Sequence, residues 1–166
     1  MFNSFSLARL AEVHPELERR VRQLDALVPS LSMQITQGLR TVAEQDALYA
    51  QGRTTAGAVV TQAKGGWSAH NFGYAVDVVP EDVIPGQADW NINSTAWQKI
   101  LRIAPGCGLA EGAVWRSFPD NPHLYLDELP ATPTDAMRIA FQAGGLQAVW
   151  GTFPIFSVAI DPESGL

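Results

Sequence analysis

Four side chains in this sequence can do chemistry together. His70 and Asp77 stand seven positions apart in "SAHNFGYAVD", and Asp120 and His123 stand three apart in "DNPH". Asp77 interrupts the apolar run "YAVDVV", where a carboxylate is costly to bury unless charge or hydrogen bonds compensate it. A metal ion is the first candidate for that compensation. Two imidazoles and one carboxylate with a fourth position open suit catalytic zinc, whereas structural zinc sites are closed by four protein ligands, often thiolates. Cys107 is the single cysteine, so a thiolate-rich site is excluded. Asp120 supplies a further role. Pro122 restricts Asn121 to extended or turn geometry, and the turn can fold the Asp120 side chain back beside His123. A carboxylate there can take a proton from an attacking water and later deliver it to a leaving amine. This is the logic of metal-assisted amide hydrolysis.

Spacing alone leaves a blander reading equally open. Asp77 can cap a turn, both histidines can be satisfied core or surface groups, and Asp120 can form a local backbone hydrogen bond. His14, which precedes Pro15, reads as a surface or helix-capping residue rather than a ligand. Cys107, in "APGCGLA", reads as a small loop or core residue.

The elements that must position these groups are visible in outline. Leu17, Val21, Leu24 and Leu27 recur at helical spacing, with Pro15 suited to the first turn and a shorter helix preceding them over residues 5–13. "SMQITQ" alternates as a half-buried strand does. Thr41 and Glu44 match a capping box and Gly52 a C-terminal cap, which predicts a helix from Thr41 to Gln51. Arg40 then falls at the strand–helix junction, and Gln45 in the early helical turns. "TTAGAVVTQAKGGWSAHNFG" reads as loop, with a short extended piece at "AVVT". "YAVDVV" reads as a strand, and "STAWQKILRIA" as a helix with Trp97, Ile100, Leu101 and Ala104 on its core side. "AVWRSF" and "HLYL" read as two further strands joined by "PDNP". In "HLYL", Leu124 and Leu126 face one way, and His123 and Tyr125 the other. A last helix lies in "TPTDAMRIAFQAGGLQAVW", with Gly144–Gly145 its weak point, and the tail "TFPIFSVAIDPESGL" is apolar and extended. The fold class expected is α+β, a small, mostly antiparallel sheet flanked by helices.

At 166 residues the chain fits a single domain, 1–166, with 127–166 a helix and tail packed on it. The net charge of −6 disfavours a general electrostatic grip on nucleic acid or an anionic membrane. No stretch approaches the ~18 apolar residues that span a bilayer, so no stable membrane insertion is expected. The first residues lack a basic start followed by an apolar core, and the expectation is a product made in the cytoplasm without a signal peptide.

"SAHNFGYAVD" with "DNPH" resembles the Ser-x-His-x6-Asp and Asp/Glu-x-x-His signatures of zinc peptidases that cleave peptidoglycan stem peptides. That group includes D-Ala-D-Ala dipeptidases, D,D-carboxypeptidases and the L-alanyl-D-glutamate peptidases of phage endolysins, and it shares the hedgehog/DD-peptidase fold. The resemblance extends to "GLRTVAEQDALYAQGRTTAGAVVT" and "GCGLAEGAVWRSFPDNPHLYL" and fits the endolysin branch best. It implies one Zn2+ per chain on His70, Asp77 and His123, with Asp120 as general base. It also implies that Arg40, Gln45 and Ser68 contact substrate, Arg40 with an added share in stabilising the oxyanion. The substrate implied is a peptidoglycan stem peptide, cut at the L-alanyl-D-glutamate bond. D,D-carboxypeptidase or dipeptidase activity is the alternative. A non-catalytic zinc-containing binding domain, as in hedgehog signalling proteins, is the reading from another class. An endolysin would act on the wall after holin-dependent release from the host cytoplasm. Monomer is the default state. Trp67 and Trp115 flank the motifs and serve either as cleft walls or as core packing.

Overall fold

Alternation along the strands decides which side chains meet. The computed structural model describes residues 2–81 and 87–156. Helix α1 (Ser4–Leu10) and helix α2 (Pro15–Leu27) come first. Asn3 caps α1, and His14 caps α2 by accepting the Glu16 N–H on Nδ1 at 3.1 Å. Strand β1 (Met33–Gln37) leads into helix α3 (Val42–Ala50), which opens on the expected Thr41–Glu44 capping box. Strand β2 (Ala75–Pro80), helix α4 (Thr95–Ile103), strand β3 (Leu109–Glu111), strand β4 (His123–Leu126) and helix α5 (Asp135–Trp150) complete the order. The protein is thus α+β, with a four-stranded antiparallel sheet in the order β1-β2-β4-β3.

The register pairs Ile35 with Val78, Val76 with Leu124, and Leu109 with Leu126. These side chains share one sheet face, and all are buried under the helices together with Leu17, Val21 and Leu24 of α2. Alternation sends Asp77, His123 and Tyr125 to the other face. Trp97, Ile100 and Ala104 of the α4 region are buried as expected, and Leu101 is half-buried.

One expectation fails. "AVWRSF" is not a strand; β4 pairs with Leu109–Glu111, and the chain then enters a tight turn at Gly112–Val114. The cause is a close approach at Gly112, where a Cβ would lie 2.6 Å from the Asp120 carbonyl oxygen and 2.9 Å from His123 Cβ. "AVVT" belongs to no strand. In α5 the weak point is real: Gly144 and Gly145 leave helical geometry, Gly145 with φ +66°. Of the tail expected to be extended, residues 151–156 form a turn and irregular chain, and 157–166 lie outside the described residues.

A buried cation ties α2 to the ends of β3 and β4. Arg20 donates to Glu16 at 2.7 Å, Glu128 at 2.5 Å, Asp127 at 3.0 Å and the Gly108 carbonyl at 2.5 Å. Gly108 has φ +73°, and a Cβ there would stand 2.3 Å from Arg20 Nη1, so both conformation and space require glycine. Helix α5 packs on the turn after the 61–68 loop and on the cap of α2, where Trp150 meets the His14 ring at 5.2 Å. Its Trp150 indole donates to the Phe72 carbonyl at 2.8 Å, and Phe141 packs edge-on to Phe72.

Removing Arg20 would leave its carboxylates facing one another without their cation. Arg20→Ala is expected to cost about 3 kcal/mol, read as a lowered urea midpoint. Hydrogen bonds from Arg19, with Arg20 adding to them, hold the Glu16 carboxyl at about 2. A folded-state pKa below the unfolded one contributes stability above the unfolded value and loses it as pH falls through the folded value. The stability gap between the parent and Glu16→Gln should therefore be constant above about pH 5 and close as pH falls toward 2.

Candidate active site

Three backbone devices bring the polar groups together. The β2–β4 register sets Asp77 directly opposite His123, which places their side chains as neighbours on one face. His70 sits in the short turn Ala69–Phe72, closed by Gly73 in the left-handed conformation at φ +67°. That turn is tied to the β1–α3 junction: Arg40 N–H donates to the His70 carbonyl at 3.1 Å, and Asn71 Nδ2 donates to the Arg40 carbonyl at 2.9 Å. Asn71 Oδ1 accepts the Gly66 N–H at 2.9 Å. The sequence reading passed over Asn71, which is buried and carries the junction between the two segments. Its position just after a ligand candidate was the available signal.

His70 Nε2 lies 3.1 Å from Asp77 Oδ1 and 3.1 Å from His123 Nδ1, and His123 Nδ1 lies 3.5 Å from Asp77 Oδ1. His70 Nδ1 donates to the Gly38 carbonyl at 2.8 Å. That bond fixes the His70 proton on Nδ1 and leaves the Nε2 lone pair facing Asp77 Oδ1 and His123 Nδ1. A cation satisfies all three at once. Metal bonds of ~2.0–2.2 Å at tetrahedral angles place neighbouring donors about 3.4 Å apart, close to the observed spacings. The N, N, O donor set fits zinc. It is a group of three metal-competent side chains within 4.8 Å of one another.

Electrostatics agree with this arrangement. Burial works against charge on Asp77, but His70 and His123 outweigh it and hold the carboxyl far below its usual range. Burial depresses the His123 pKa, which favours the neutral, ligating imidazole. Asp120 moves the other way: burial first, then the charge of Asp77, raises its carboxyl.

Asp120, Arg40, Ser68 and the three donors line one cleft of about 1110 Å³. Arg40 Nη2 lies 3.6 Å from Asp77 Oδ2, and Arg40 Nη1 donates to Gln45 Oε1 at 2.7 Å. Gln45, expected as a substrate contact, occupies an interior position. It is fully buried and absent from the cleft wall, and its Nε2 donates to the Ala63 carbonyl at 2.8 Å. The loop over residues 61–63 folds back on α3 and turns a helix position that reads as solvated into an interior one. Trp115 packs against the His123 ring at 4.9 Å, so it walls the cleft, as does Trp67. Trp90, also on the cleft, went unnoticed in the sequence because no motif surrounds it.

Comparison with known proteins bears on this constellation. The family profile described as D-alanyl-D-alanine carboxypeptidase matches residues 61–126, the stretch holding His70, Asp77, Asp120 and His123. The peptidoglycan L-alanyl-D-glutamate endopeptidase CwlK of Bacillus subtilis is 35% identical over 122 residues, covering 69% of this chain and 73% of that protein. In structure the chain resembles the L-Ala D-Glu endopeptidase ChiX of Serratia marcescens, with a TM-score of 0.54 at 20% identity, over 76% of this chain and 90% of that one. Sequence likeness to CwlK over most of both proteins, together with the profile match across the stretch that holds these four side chains, places the chain in the M15 family of zinc peptidases.

Proposed function

We propose that this protein is a zinc-dependent endopeptidase that hydrolyses the L-alanyl-D-glutamate bond of peptidoglycan stem peptides. The observation that carries the reading is the convergence of three lone-pair donors in a cleft that also holds a half-buried carboxylic acid and an arginine. The likeness to CwlK supports the choice of bond. In this reading the whole chain acts as one catalytic domain.

His70, Asp77 and His123 would hold one zinc ion. When bound, zinc supplies Lewis acidity toward the scissile carbonyl and makes water acidic enough to attack near neutral pH. Asp120 accepts the proton of the attacking water and returns it to the leaving amine. The Arg40 guanidinium stabilises the oxyanion that develops on the carbonyl oxygen, or takes the D-glutamate carboxylate in a charge-assisted fork. Gln45 acts at one remove, fixing Arg40 to the loop over residues 61–63. Ser68, buried at the cleft wall, donates its hydroxyl to a substrate carbonyl or carboxylate.

The likeness to the endolysin branch supports a setting in phage-type lysis, with synthesis in the host cytoplasm and release to the wall through a holin. The two named relatives come from bacteria, and a bacterial wall enzyme would use the same site. The description of the matching family profile favours D,D-carboxypeptidase activity as a second reading.

Digestion of purified muropeptides separates the two. The expected result is a newly freed amino group on D-glutamate, seen by mass spectrometry and abolished by a chelator. Release of D-alanine would establish the second reading, and no product from any wall preparation would point to a non-catalytic zinc domain. Asp120→Ala should lower the rate by about 10²–10⁴-fold while zinc, measured by elemental analysis, stays at one per chain. Unchanged hydrolysis would remove Asp120 from the mechanism.

A further inference from the structure

Trp67 and Trp90 have no part in the chemistry above, yet both line the cleft, 48% and 63% exposed. Neither side chain hangs on a loose segment. The Trp67 N–H closes a turn onto the Lys64 carbonyl at 3.0 Å, and the Arg138 guanidinium stacks over its ring at 3.8 Å. Arg138 is itself held by the Pro133 carbonyl and by Asp135 at 2.5 Å. The indole is braced from one side and open to solvent elsewhere. Trp90 follows Asp89, which is fixed three ways. Its N–H donates to the Pro80 carbonyl at 2.8 Å, its carbonyl accepts the Trp97 indole N–H at 2.6 Å, and its Oδ1 accepts the Asn91 N–H at 2.8 Å. Single exposed apolar side chains are ordinary, but two exposed indoles on one cleft, one braced by Arg138 and one following an anchored residue, mark an interaction surface.

The chemistry of the occupant follows from what an indole can recognise. The cleft, at about 1110 Å³, exceeds the ~300–1,000 Å³ that encloses a drug-sized ligand. An L-alanyl-D-glutamyl unit offers a methyl group and carboxylates, none of which needs a flat aromatic face. The next group along the substrate does. The amino end of L-alanine is amide-bonded to the lactyl carboxyl of muramic acid, a pyranose whose C–H bonds lie on the ring faces and whose polar groups project from the edge. Such a ring stacks on the apolar body of an indole, and its edge can meet Gln62, Ser117 and Thr132, which line the same cleft.

We propose that Trp67 and Trp90 form a glycan subsite that holds the muramyl sugar, so that the enzyme cuts glycan-linked stem peptides in preference to free ones. This rests on the endopeptidase reading. The test compares kcat/KM for N-acetylmuramyl-L-Ala-D-Glu peptide with that for N-acetyl-L-Ala-D-Glu peptide of the same length, both uncharged at the L-alanine end. The native enzyme should favour the muramyl substrate by about tenfold, the equivalent of one good contact. Trp67→Ala and Trp90→Ala should each pull that ratio toward one, while Trp90→Tyr, which keeps an aromatic face, preserves most of it. Equal rates for the two substrates in the native enzyme, or a preference untouched by either alanine variant, overturns the subsite and leaves the endopeptidase reading standing. Cleavage of neither substrate overturns both.

Discussion

A carboxylate in an apolar strand must be compensated, and the site is arranged around how Asp77 is. Its oxygen faces two imidazole nitrogens, one of which has already committed its ring proton to the Gly38 carbonyl. Lone pairs held this close repel unless a positive charge lies among them. The Asp77–His123 pairing across β2 and β4 makes this a property of the sheet register. A one-residue slip of β4 would send His123 to the helix-covered face and strip the His70 nitrogen of one of its two neighbours.

The rest of the molecule keeps that register and brings His70 to it. Arg20 locks α2 to the ends of β3 and β4, so these two strands cannot shift without breaking an ionic cluster. Gly112 lets the chain pass close behind Asp120 and His123. Asn71 fastens the His70 turn to the segment that presents Arg40. Each of these is a close approach or a buried polar bond, and together they fix the cleft's polar groups to rigid elements.

The candidate ligand set was legible through the resemblance of "SAHNFGYAVD" and "DNPH" to the family signatures, since spacing alone left the bland reading equally open, and the structure brings the three side chains together. The helices were legible through apolar spacing and the Thr41–Glu44 box. "AVWRSF" misled because its alternation resembles a strand, while the glycine contact that bends the chain involves Asp120, eight residues from Gly112, and leaves no mark on periodicity. Gln45 misled for a related reason. Its burial comes from the loop over residues 61–63 folding onto the helix, and a helical pattern cannot report what a distant loop covers.

The bond from Trp150 to the Phe72 carbonyl bears on modularity. It joins the end of α5 to a peptide two residues past His70, although α5 lies outside the 61–126 stretch matched by the family profile. The smallest unit that could be grafted onto another module with its candidate metal site intact therefore extends at least through Trp150. A graft cut after the last strand would keep every candidate ligand and lose the strut behind one of them.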